Sequence, residues 1–79
     1  MEAAMNYNEY QAIRQENIQM FFGDNPKFKS ILLLSEEELK STMTTVVESY
    51  QNRSAYQNFT RREMLQIIGF CAAELARIS

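Results

Sequence analysis

Two helix-start signatures constrain this chain more than anything else in it. Ser35-Glu36-Glu37-Glu38 and Thr60-Arg61-Arg62-Glu63 each place a hydroxyl three residues ahead of a glutamate. In such a capping box the hydroxyl accepts a hydrogen bond from the backbone N–H of the third helical residue, and the glutamate accepts one from the N–H of the capping residue. Apolar residues at helical spacing follow each box. Two glycines and one proline in 79 residues leave few turns, which favours a few long elements over many short strands. The expectation is an all-α fold: a compact antiparallel three- to four-helix bundle with helices at about 6–22, 26–33, 36–51 and 61–78.

In the first helix, Tyr7, Tyr10, Ile13, Ile18, Met20, Phe21 and Phe22 share one broad arc, with Glu9, Gln15, Glu16 and Gln19 opposite. Arg14 and Asn17 intrude on that arc. Buried bare they would cost on the order of 1–3 kcal/mol or more, so they need partners or water, and Arg14 is expected to lay its stem on the core and reach solvent. Gly23-Asp24-Asn25-Pro26 stops this helix and starts the next. Glycine suits the left-handed residue after a helix, Asp24 or Asn25 caps, and proline is preset for the first helical position. The second helix, Pro26 to Leu33, is too short to span a bundle and is expected to close one end.

In the third helix Leu39, Met43, Val46 and Tyr50 repeat at four-three-four spacing, with Val47 beside them. Three glutamates in its first turn complement the positive helix end. Thr42, Thr44 and Thr45 are poor helix formers, so tertiary packing must hold its middle. The fourth helix carries the strongest stripe, Met64, Ile67, Ile68, Cys71, Leu75 and Ile78, flanked by Leu65 and Ala72. Between these two helices, 52–59 reads as a loop or an extra helical turn. Residues 1–5 read as an extension outside the single domain 6–79, disordered or carried over from cloning, with Met5 as the natural start.

Composition narrows the function. There is no histidine, and Cys71 is the lone cysteine, which rules out the usual zinc sets and an internal disulfide and points to a reducing, cytoplasmic setting. Cys71 sits in the apolar stripe and reads as a small buried hydrophobe. With two isolated glycines there is no phosphate-binding loop. Carboxylates are the sole candidates for general-base work, and Glu36-Glu37-Glu38 is better used at a helix terminus. No cofactor and no enzyme activity are expected. No apolar run approaches the length of a membrane span, and a net charge of −2 argues against a protein built to grip duplex DNA.

Two candidate surfaces remain. Phe70 projects away from the centre of the last stripe, between Gln66 and Arg77, with small Gly69 and Ala73 beside it. Exposed, it would anchor a partner or a second subunit, with Ala73 allowing close approach and Gln66 and Arg77 forming a polar rim. The alternative is a helix buried on two sides by its own bundle. The second surface is the segment containing Tyr50, Arg53, Tyr56, Phe59, Arg61 and Arg62, where Tyr-Gln-Asn occurs twice, six residues apart. Aromatics interleaved with arginines suit unpaired bases and their phosphates, although such aromatics equally plug cores.

The sequence therefore points first to a small non-enzymatic protein-binding module: a regulator, inhibitor or assembly factor acting through a helical face, as a homodimer or on another protein. Proteins of this build recur among phage and mobile-element products, which is an association of fold and not a derivation. The alternative is a helical domain that binds nucleic acid through the Tyr/Arg segment.

Overall fold

Both capping boxes form. In the computed structural model, which describes residues 7–52 and 56–79, Thr60 Oγ1 accepts from the Glu63 N–H at 3.1 Å and Glu63 Oε1 accepts from the Thr60 N–H at 2.8 Å. Ser35 and Glu38 repeat the exchange at 3.2 and 2.9 Å. We label the α-helices α1 (Tyr7–Phe21), α2 (Glu36–Asn52) and α3 (Arg61–Ile78). These spans fall within a residue of the expected helices, and the fold is all-α. Residues 1–5 lie outside the described residues. Thr60→Ala and Ser35→Ala are each expected to lower stability by about 0.5–2 kcal/mol, and glycine at the same sites by a few tenths. Chemical denaturation of these variants checks this, and equal losses for alanine and glycine would mean that the hydroxyls serve another purpose.

α1 ends where expected. Gly23 adopts φ +60, and its N–H donates to the Ile18 carbonyl at 3.0 Å. Asn25 then caps the next element, its Oδ1 accepting from the Lys27 N–H, with Pro26 in the first turn. That element, Pro26–Leu33, is a 3-10 helix and not an α-helix. Its pattern explains the tighter winding. At three residues per turn Phe28 and Ile31 stack in one row, and the structure buries both.

The threonines of α2 turn back on their own helix, Thr44 Oγ1 donating to the Lys40 carbonyl and Thr45 Oγ1 to that of Ser41. Such bonds satisfy the hydroxyls without stabilising the helix. Leu39 and Val46 supply the packing that does.

α3 is the central helix. Its main packing partners are α2 on one flank and α1 on the other. Both neighbours run antiparallel to it: Asn17 of α1 meets Glu74 while Phe21 meets Gln66, and Arg61 at the start of α3 stands over Tyr50 near the end of α2. The two flanks rotate the buried side of α3 away from the expected stripe. Met64, Ile67 and Cys71 are buried as expected, but Ile68 and Leu75 are half-buried and Ile78 is exposed. The centre has moved toward Phe70 and Glu74.

Candidate docking surface

The expected anchor on α3 turns inward. Phe70 is 1% exposed, its ring 4.6 Å from that of Phe22, which stacks in turn on Phe28 at 4.3 Å. The neighbouring residues serve the same internal interface. Gln66 donates to the Phe21 carbonyl at 2.8 Å, closing the last turn of α1. Arg77 is bonded to Glu74, and Ala73 is half-buried on this flank. Small residues do permit a close approach here, but by α1: the Phe21 ring lies where a Cβ on Gly69 would stand 2.4 Å from Cε1. The proposed surface of Phe70, Gln66, Ala73 and Arg77 is therefore the α1–α3 contact.

Arg14 and Asn17 find their partner at the same contact. Glu74, with its side chain 4% exposed, accepts from Asn17 Nδ2 at 2.9 Å, from Arg77 Nε at 2.9 Å and from Arg77 Nη2 at 2.7 Å. Arg14 Nε approaches it at 3.7 Å, while Arg14 Nη2 donates to the Leu32 carbonyl. One carboxylate thus joins α1, α3 and, through Arg14, the 3-10 helix. Burial pushes the Glu74 carboxyl up, but the bonds from Arg77 and Asn17 and the charges of Arg77 and Arg14 together outweigh it and hold the group below the usual carboxylate range. Sequence reasoning singled out Arg14 and Asn17 but missed Glu74. An acidic residue 57 positions away on another helix carries no local signal.

The Tyr/Arg segment divides. Tyr50, Tyr56 and Phe59 pack against the core. Phe59 lies 5.9 Å from Phe28 and 5.8 Å from Tyr56, which takes φ 51 to make the turn. Arg53 lies outside the described residues. Arg61 and Arg62 are exposed, Arg61 over the Tyr50 ring at 5.1 Å. Lys27, distant in sequence, comes to the same end, 4.8 Å over Phe59 and 2.7 Å from Glu63. The Lys27 hydrogen bond, ahead of that from the Thr60 backbone, holds the Glu63 carboxyl below its ordinary value. The aromatics expected to stack bases are occupied by one another and by the core.

Cys71 is buried, which pushes its thiol up to about 11, far from the thiolate a nucleophile needs. Among the described residues no group of three acidic or thiol side chains is placed to hold a metal, and no helix is long and apolar enough to cross a membrane. A groove of 480 Å³ runs between α1 and the 3-10 helix. Its floor residues Ile18, Phe22 and Phe28 are buried, and at its rim Leu33 is 82% exposed beside half-buried Leu32.

The outer side of α3 is different. A helix packed on both flanks in a molecule 45 × 24 × 16 Å still shows one side to solvent. From Met64 to Ala76 the one charged residue is Glu74, and it is buried. The outward side over those turns carries Leu65, 52% exposed, with exposed Ala72 and Ala76 and half-buried Ile68. On α2, Val47 and Met43 share the edge that carries Tyr50, the edge met by Arg61. In a chain that is 23% charged, this is the surface on which function is best sought.

No family model, no curated protein and no solved structure matches this chain.

Proposed function

We propose that the protein is a small non-enzymatic binding module that docks on a protein partner through the outer side of α3 and the adjoining edge of α2. The observation that carries this reading is the uncharged outer face from Leu65 to Ala76. A solvent-facing helix normally interleaves charged residues with apolar ones. Contiguous apolar surface on a soluble domain marks a contact site more often than a neutral feature. The chemistry-bearing side chains support the reading, since Glu74 and Arg77 are spent on the α1–α3 contact and Cys71 on the core. A role as regulator, inhibitor or assembly factor follows from small size joined to a single contact face, and the reducing compartment suggested by a lone buried cysteine suits it.

The test is site-specific photo-cross-linking in cells. A photoreactive residue at exposed Ala72 is expected to give a discrete protein adduct, and the same residue at exposed Glu16, on the polar side of α1, is expected to give none. Equal labelling at both positions would overturn the reading.

A further inference from the structure

We infer that the occupant of this face is a second copy of the chain, laid antiparallel across α3 about a two-fold axis. The inference rests on the docking-face reading above and names its partner. Shape is the first reason. An antiparallel pairing centred midway between Gly69 and Ala72 sets exposed Leu65 of each copy against exposed Ala76 of the other. The most exposed large side chain on the face then meets a small one across the axis, which lets the two helices approach closely. The same residues meet twice, as a two-fold contact requires.

Charge is the second reason. The uncharged stretch is bounded by a basic end and an acidic end. Exposed Arg61 and Arg62 stand at the start of α3, where Lys27 and Glu63 neutralise one another. At the opposite end, where antiparallel α2 begins, Glu36, Glu37 and Glu38 stand against Lys40. The Glu36–Lys40 pair is exposed and 3.5 Å apart, so it is weak and free to re-pair. The two-fold axis carries the basic end of each copy onto the acidic end of the other at both margins of the face. A parallel pairing would set like against like. The complementarity selects the antiparallel register and the apolar strip supplies the contact.

The decisive experiment is sedimentation equilibrium on the full chain with two charge-reversed variants, R61E/R62E and E36K/E37K. The parent is expected at twice the 9.3 kDa chain mass. Each variant alone sets like charges together and is expected at monomer mass with its helical circular dichroism retained. Mixed in equal amounts, the two variants are complementary at both margins and are expected to return to dimer mass. Ala72→Glu, at an exposed position in the middle of the face, is expected to give a monomer that no mixing restores. A parent that stays monomeric up to sub-millimolar concentration overturns the inference, as does a mixture that stays monomeric. The Ala72 cross-link then separates the two ideas: an adduct with a different protein leaves the docking face standing without the second copy, and the absence of any adduct removes both.

Discussion

Phe70→Glu is expected to unfold the domain, and Phe70→Ala to cost roughly 3–5 kcal/mol. A chain of this length has on the order of 4–12 kcal/mol of stability in all, so the alanine variant spends a large part of it. The reason is position. The Phe70 ring is 1% exposed and stands in a row of rings that runs through Phe22 and Phe28 to Phe59, each within 6 Å of the next. That row joins α3 to the end of α1, to the 3-10 helix and to the turn before α3. A carboxylate in its midst would stand among buried rings and must force the helices apart to reach water. Thermal melts and far-UV circular dichroism check this. A folded Phe70→Glu variant that has lost only self-association would return Phe70 to the surface and refute the packing described above.

The helices were legible in the sequence because their signals are local. Ser35, Thr60, Gly23, Asn25 and Pro26 each act on backbone groups within a few residues, and each takes the role its chemistry suggests. What the sequence left open was how many neighbours each helix has. The stripe centres on Ile68 and Leu75, and it leaves Phe70 open between an external anchor and a helix buried on two sides. With α1 and α2 on opposite flanks of α3, the buried arc widens, Phe70 falls inside it, and Leu65 with Ala72 becomes the remaining open side.

The same limit governs the candidate sites. Small residues beside Phe70 did announce a close approach, and the structure supplies its partner, the Phe21 ring on Gly69. Whether such a partner is internal or external is decided by chain topology, which residue spacing does not carry. The Tyr/Arg segment illustrates the converse. Its aromatics are ambiguous in composition, and the contact of Phe59 with Phe28, more than thirty residues earlier, is what assigns them to the core.

Glu74 should make the stability of the domain fall in acid. Its carboxyl titrates below the ordinary value of 4.5 in the folded state, so the unfolded chain binds its proton first. The stabilisation it gives is therefore fully present above that ordinary value and is lost as pH falls through the lower folded value. Two variants separate charge from shape. Glu74→Ala leaves Asn17, Arg77 and Arg14 without their shared acceptor in a nearly dry contact. Removing one member of a buried pair costs about 3–5 kcal/mol, and the lower end applies because the Arg14 side chain keeps 25% of its surface in water. Glu74→Gln keeps the volume and one acceptor but removes the charge, so it should be destabilised at neutral pH and lose the acid limb that Glu74 contributes. Urea denaturation of the parent and Glu74→Gln between neutral pH and pH well below 4.5 checks this. The difference between the two should shrink as the solution is acidified, because protonation turns the parent into a near copy of the variant. A difference that stays constant across that range would show that the carboxylate charge does not hold α1 on α3.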